Sequence, residues 1–417
     1  MGATLAEKIL ARASGKEVVR PGEYVMAHID LAMAHDSLGP VDEILTRAGV
    51  ERLWDSDKVV CLLDHWNPPS TVRDAEVHKR VRSAVKKFNI KHFYGQNAGV
   101  CHQVLFEKGH ILPGKLIVGA DSHTLTYGAF GAAAAGIGHS EMAYVLTTGK
   151  LWFKVPETIK FQIRGILPHR VASKDIILSI AGKYSVDVAQ YRSVEFSGET
   201  CKEMTLSSRM TMSNMAAEIG AKFAFFEPDE QVERYLKGRT EETFELIKPD
   251  EDASYEKVYE EEVSDLEPQV AFPFSFDNVK PISKVGPIKI DQAVLGSCTN
   301  GRIEDLRTAV EVMGGRKVHP DVRMLVIPAS YEIYQDAIRE GILSRLIESG
   351  VILCNPGCGP CMGAHMGLLA SGEVCISSTN RNFRGRMGSP DSELYLASPA
   401  TVAASAVTGR IADPRDI

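Results

Sequence analysis

Leu116-Ile117-Val118-Gly119-Ala120 runs straight into Asp121-Ser122-His123-Thr124, an apolar stretch that stops at an acid. Apolar residues without alternation read as a strand buried on both faces, and the polar residues after it as a loop at the strand's carboxyl end. The same grammar recurs upstream, where Val59-Val60-Cys61-Leu62-Leu63 ends at Asp64. A helix is predicted next over residues 74–88, because Val77, Val81, Ala84, Val85 and Phe88 recur at helical spacing. Thr4 opens an earlier helix, with Glu7 three residues on completing a capping box. Strand, polar loop and helix in repetition predict an α/β layered fold with its function at the carboxyl ends of strands.

Outward from this region the texture changes. Residues 158–163 are strand-like, 174–184 and 212–220 are helical, and Asp250 to Glu267 carries nine carboxylates that read as a solvated face or surface connection. The prolines at 268, 273, 281 and 287 mark 268–288 as a linker. The alternation then restarts: strand 290–295, helix 303–312, strand 324–328, helix 330–340, strand 351–354 and a Gly-rich turn. These changes of texture divide the chain into units over 1–160, 161–283 and 284–417. No internal repeat, P-loop, GxGxxG or HExxH is visible in the sequence.

The 417 residues are 44% hydrophobic and 24% charged, the composition of a globular protein. A formal charge of −7 argues against a broad nucleic-acid footprint or attraction to an anionic membrane. The longest apolar run, Ala129 to Gly138, falls far short of the roughly 18 residues of a membrane span. No secretory signal opens the sequence, Ala6 spoils a myristoylation pattern, and eight cysteines are too sparse for a disulfide scaffold. Reduced thiols and a cytoplasmic location are expected.

Two thiol contexts stand out. Cys354-Asn-Pro-Gly-Cys358-Gly-Pro-Cys361 holds a CxxC between Gly and Pro, and Gly296-Ser297-Cys298-Thr299-Asn300 follows the apolar run Ala293–Leu295. A Cys3His zinc site using His365, a dithiol redox pair at Cys358 and Cys361, and an iron–sulfur cluster all match these residues. The C-x3-C-x2-C spacing with Cys354 is also that of radical S-adenosylmethionine enzymes, but the 56 residues after Cys361 are too few for their barrel. Three thiolates on four irons leave one iron open as a Lewis acid, which suits hydration chemistry. Cys61, Cys101, Cys201 and Cys375 read as buried, inert thiols.

Ionisable groups gather at the ends of the apolar runs: Asp64-His65, Cys101-His102 and Asp121-Ser122-His123, with Asn214 and Glu218 four apart on one helical face. A His beside a carboxylate has a fixed tautomer and a tunable pKa, as proton transfer requires. The Gly/Ala-rich segment 128–138 offers close approach of backbone to a ligand. Near the C-terminus, Asn380-Arg381-Asn382-Phe383-Arg384-Gly385-Arg386 supplies guanidiniums suited to carboxylates.

Taken together, these motifs resemble the aconitase superfamily, in family order along essentially the whole chain. The length and the run Gly301-Arg302-Ile303-Glu304-Asp305-Leu306 look most like the large subunits of isopropylmalate dehydratase and homoaconitase. The resemblance implies three α/β/α domains of the aconitase type, without the swivelling fourth, around a [4Fe–4S] cluster held by Cys298, Cys358 and Cys361 with one iron not ligated by protein. It implies acid–base pairs Asp64–His65, His102–Asp121 and His123–Glu218, substrate contacts at Ser122, Asn214, Asn380, Arg381 and Arg386, and no ligand role for Cys354. It further implies a hydro-lyase acting on a 2-hydroxy di- or tricarboxylic acid (isopropylmalate first, homoaconitate or dimethylmalate as alternatives) and completed by a separate small subunit. A remote alternative is an iron-sensing, RNA-binding relative. Trp66-Asn67-Pro68-Pro69 and Gln96-Asn97-Ala98 depart from the subfamily's usual residues and leave the substrate open.

Overall fold

A computed structural model describes residues 2–417. Three open sheets organise the chain; each has a central strand from which the chain winds first to one side and then to the other, and in the third an edge hairpin precedes that strand. β1 (Tyr24–His28) stands apart from the first sheet, which contains β2 (Leu31–Ala34), β3 (Val59–Leu62), β4 (His92–Tyr94), β5 (Leu116–Gly119) and β6 (Ala133–Gly136). Its order is β4-β3-β2-β5-β6, all parallel, and β7 (Lys150–Lys154) returns to pair antiparallel with β1. β2, β3 and β5 are buried along their whole length, as unbroken apolar runs require. The helix after β3 spans Val72–Lys87 and starts earlier than its apolar spacing predicts, because Thr71 and Asp74 form its capping box.

The second sheet holds β8 (Thr158–Arg164), β9 (Ser193–Ser197), β10 (Phe223–Phe226) and β11 (Lys257–Glu262) in the parallel order β10-β9-β8-β11. The acidic stretch is therefore not only a surface connection: β11 is an edge strand with mostly exposed charges. Its one buried acid, Glu261, accepts the Tyr184 hydroxyl at 2.6 Å and Lys183 at 3.1 Å.

The third sheet takes β12 (Gln269–Ala271), β13 (Val279–Pro281), β14 (Gln292–Gly296), β15 (Arg323–Ile327), β16 (Ile352–Leu353), β17 (Val374–Ser377) and β18 (Glu393–Leu396) in the order β13-β12-β18-β17-β14-β15-β16. The expected linker 268–288 is thus an antiparallel edge hairpin, with Gln269–Ala271 buried. Prolines at sheet edges and strand ends lose no ladder bond, which is why they mislead here.

In a sheet of this winding a crevice opens where consecutive connections leave in opposite directions. In the first sheet that point lies between β2 and β5, and in the third between β14 and β17. The two crevices face each other: Cys358 N–H donates to the Asp64 carbonyl at 3.1 Å and Val100 N–H to the Ala329 carbonyl at 2.8 Å. Among the described residues no helix is long and apolar enough to cross a membrane.

Candidate active site

The loops after β2, β3 and β5 bring carboxylates and imidazoles to the first crevice. Asp64, fully buried, accepts His65 Nδ1 at 2.7 Å on Oδ1 and the Cys101 N–H at 2.7 Å on Oδ2. His102 Nε2 meets Asp121 Oδ1 at 2.8 Å, and the same oxygen caps a 3-10 turn by accepting the His123 N–H at 2.7 Å. His123 Nε2 lies 2.9 Å from Glu218 Oε1, which also accepts Arg381 Nε at 2.8 Å. His65 Nε2 lies 3.5 Å from Asp121 Oδ2, so the three pairs form one connected network.

Electrostatics follow this geometry. Burial raises the carboxyls of Asp64, Asp121 and Glu218, but the paired imidazoles outweigh it and hold all three below their ordinary values. Burial likewise opposes charge on His123, yet the bonds to Asp121 and Glu218 raise its pKa. A cavity of about 430 Å³ opens beside Asp121, Ser122 and Arg381, with Leu125, Ile137 and Ala221 among its walls.

Two residues outside the predicted set support this network. Asp36, fully buried, accepts His78 Nε2 at 2.6 Å on Oδ1 and the N–H groups of Asp64 at 3.1 Å and His65 at 2.9 Å on Oδ2. The His35 ring stacks on His65 at 4.1 Å. His35, Asp36, Asp64 and His65 bring potential ligand atoms within 4.8 Å of one another, but both oxygens of each carboxylate already accept N–H groups. That reads as a hydrogen-bonded cluster rather than a cation site. His35-Asp36 closes the buried run Leu31–Ala34 in the same strand-then-acid pattern, and that signal was present in the sequence.

The loops after β14, β16 and β17 line the facing crevice. Gly296, at φ 140°, and Ser297, at φ 65°, turn the chain sharply out of β14. A Cβ on Gly296 would lie 2.1 Å from the Ile327 carbonyl oxygen. Left-handed backbone at a serine is strained and is held only by its surroundings. Cys298 emerges from this turn. Its Sγ lies 3.4 Å from Asn214 Nδ2 and 3.6 Å from Asn380 Nδ2, while Asn380 Oδ1 lies 3.5 Å from Cys361 Sγ. The Asn380 carboxamide therefore spans Cys298 and Cys361, and both asparagines sit wholly buried against sulfur. Arg386 Nη2 lies 3.9 Å from Cys361 Sγ, and its buried Nε has no partner. Burial pushes the Cys298 thiol up to about 11; at Cys361 it is outweighed by the charges of Arg386 and His123, which lower the pKa.

The structure revises several expectations. Asn214 ends the helix Leu206–Met215, whereas Glu218 belongs to a separate 3-10 turn, Ala216–Ile219, so the two do not share one helical face. The change of pitch turns Asn214 toward the thiols and Glu218 toward His123. His102 lies in the first turn of the helix Cys101–Glu107 rather than in a loop. The Gly/Ala-rich segment packs backbone on backbone at its start, where a Cβ on Gly128 would lie 1.8 Å from the Ala224 carbonyl oxygen, and at its end Gly136, Ile137 and Gly138 line the cavity beside Asp121. His365, the candidate fourth zinc ligand, is turned onto the Pro68 carbonyl at 2.8 Å. Cys354, expected to have no ligand role, packs among Val294, Leu325 and Leu369. Arg384 points away, over Phe274 at 4.4 Å.

Comparison with known proteins agrees with this architecture. The aconitase family (aconitate hydratase) matches residues 26–288 and 283–409. The 3-isopropylmalate dehydratase large subunit 1 of Methanopyrus kandleri is 53% identical over 416 residues, covering 100% of this chain and 99% of the relative. A probable methanogen homoaconitase large subunit of Methanothermobacter thermautotrophicus is 51% identical, over 99% of this chain and 97% of its own length. Among solved structures, aconitase X of Thermococcus kodakaraensis shares the fold with a TM-score of 0.52, at 12% identity over 88% of each chain. With a family match over most of its length and full-length relatives at about half identity, the chain belongs to the aconitase family.

Proposed function

We propose that this chain is the large subunit of an iron–sulfur hydro-lyase that isomerises a 2-hydroxy acid by dehydration and rehydration, with 2-isopropylmalate to 3-isopropylmalate in leucine biosynthesis as the first reading. The observation that carries it is the apposition of three His–carboxylate pairs to a cradle of buried thiols. Homoaconitate chemistry is the second reading, supported by the relative of that name at 51% identity. The large-subunit names of the relatives imply a small-subunit partner. Eight free thiols are consistent with a reducing cytoplasm.

Cys298, Cys358 and Cys361 would hold a [4Fe–4S] cluster, and the residues fit one. Amide N–H groups of Asn214 and Asn380 face sulfur, and the buried Arg386 Nε is left without a partner. When bound, such a cluster supplies Lewis acidity toward a substrate hydroxyl and carboxylate.

The chain's own groups do the rest. Asp64 fixes the His65 tautomer through Nδ1 and leaves Nε2 to carry a proton at the crevice. Asp121 orients His102 and the His123 backbone, and Glu218 holds His123 Nε2. Glu218 occupies Arg381 Nε, which leaves the terminal guanidinium nitrogens to pair a substrate carboxylate. Arg386 and the exposed Ser122 complete the substrate contacts. Asn214 and Asn380 act through the sulfur atoms they touch.

The test is anaerobic co-expression with candidate small subunits, following ultraviolet absorbance of the unsaturated acid. Isopropylmalate should give turnover that requires both chains. Turnover of homocitrate or homoaconitate alone moves the reading to homoaconitase, and no hydro-lyase activity with any of these acids overturns it.

A further inference from the structure

Two buried basic side chains stand behind the thiols, and every acceptor their nitrogens contact is a neutral oxygen; burial lowers the Lys174 ammonium to about 7, so its charge depends on negative charge nearby. Lys174, wholly buried on the helix Ser173–Tyr184, donates Nζ to the Ser378 and Thr379 carbonyls, each at 2.5 Å. Arg302, 2% exposed, donates Nη2 to the Cys298 carbonyl at 2.9 Å, Nη1 to the Thr299 carbonyl at 2.8 Å and Nε to Gln103 Oε1 at 3.1 Å. The buried acids make no direct bond to either charged group, although Asp305 acts on both and the thiols of Cys361 and Cys298 come next: Asp305 accepts the Arg302 backbone N–H and Asn300 Nδ2, and Asp175 accepts the Ala172 and Gln269 N–H groups.

An ammonium and a guanidinium taken out of water among carbonyls are strongly unfavourable unless negative charge nearby offsets them. The carbonyls they grip identify where that charge belongs. Cys298 and Thr299 are the first loop of the thiol cradle, and Ser378-Thr379 leads into Asn380, whose carboxamide spans Cys298 and Cys361. A neutral staple of these loops needs no charge, and two independent cations from different layers of the fold have been placed on them.

We propose that Lys174 and Arg302 are positioning residues that serve as counter-cations to an anionic centre at Cys298, Cys358 and Cys361 while holding two of the loops that line its cradle, those of Cys298 and Asn380. The inference rests on the cluster reading above. It goes beyond that reading in assigning an electrostatic role to residues that touch neither sulfur nor substrate.

The test uses the full chain, reconstituted anaerobically with iron and sulfide, as wild type, Lys174→Met, Lys174→Arg, Arg302→Met and Arg302→Lys. Four quantities are read: iron and labile sulfide per chain, iron release to a chelator, reduction potential, and melting temperature with and without iron. The methionine variants should release iron about tenfold faster and reduce at more negative potential. Their gain in melting temperature on loading should shrink more than the iron-free melting temperature falls. The charge-retaining variants should recover the potential and most of the retention, and they keep the test readable where a methionine variant does not fold. Unchanged iron release and potential, or equal losses of stability with and without iron, overturn the proposal in favour of neutral stapling. A wild type that takes up no iron and sulfide overturns the cluster reading itself, and the proposal with it, which is a separate outcome.

Discussion

The first and third sheets have the same winding and opposite chemistry. Apart from the edge hairpin of β12 and β13, both wind from a central strand, β2 or β14, out through two strands on one side and back through two on the other. In the first, the loops at the carboxyl ends deliver Asp36, Asp64 and Asp121, each held by backbone N–H groups and imidazoles. In the third, the loops after β14 and β17, at the places of Asp36 and Asp121, deliver Cys298 and Asn380, and the loop after the edge strand β16 delivers Cys358, so that sulfur is met by amides and cations. Topology settles where a reactive group stands, and loop composition settles what it is. The second sheet winds the same way, yet its strand ends do not reach the crevice. It contributes Asn214 and Glu218 from a helix and the turn after it, and Lys174 from another helix.

The sharpest way to break the comparison is at the sulfur side. Cys358→Ser should lose the cluster and with it all measurable turnover, a drop of about a thousandfold or more. Cys354→Ser, four residues away in an apolar cluster, should keep the iron content and rate of the wild type. If the two variants behave alike, the cradle has been drawn around the wrong thiols.

On the carboxylate side the loss should be smaller and of another kind. Asp121→Asn replaces the charge shared by His102 and the His123 turn, so kcat should fall about 100- to 1000-fold. Iron content should stay at the wild-type level. A matching loss of iron would mean that the two crevices are one structural unit rather than a division of labour.

The smallest effect lies at the seam between the sheets. Glu107, 6% exposed, accepts Ser330 Oγ at 2.5 Å and Gln103 Nε2 at 2.9 Å. Burial outweighs those two bonds and raises its carboxyl to about 7. The folded chain therefore holds a proton that the unfolded chain releases near 4.5. This contribution is complete below the lower value and is lost as pH rises through the upper one, about 3 kcal/mol in all. Denaturant unfolding at several pH values from about 5 to 8 should show that decline in the wild type and a flatter profile in Glu107→Gln, whose amide still accepts both bonds. An equal slope in both would place the effect elsewhere.

Much of this division was legible in the sequence, for definite reasons. Apolar runs ending at Asp64, Asp121 and Cys298 are parallel strands buried on both faces, and composition alone marks them. What escaped depends on contacts made across the chain. The acid-rich Lys257–Glu262 becomes a strand because β8 offers it an edge, and Gln269–Ala271 because β18 does. The pitch change between Asn214 and Glu218 has no periodic signature in so short a segment. Lys174 and Arg302 look in sequence like any charge at a helix start, and only burial sets them apart. The shared winding of the sheets leaves no internal repeat either, since a fold constrains side-chain polarity and strand length far more than identity.

Because the centre draws on residues from Asp64 through Arg386, its halves are born at different times. Translation at about 5–20 residues per second delivers Asp121 some 10–50 s before Cys361 leaves the ribosome. Iron offered to the nascent polypeptide in that interval meets imidazoles and carboxylates but lacks part of its sulfur cage. On the cluster reading, loading would therefore be the closing act of biogenesis, with iron and sulfide supplied only to the finished molecule.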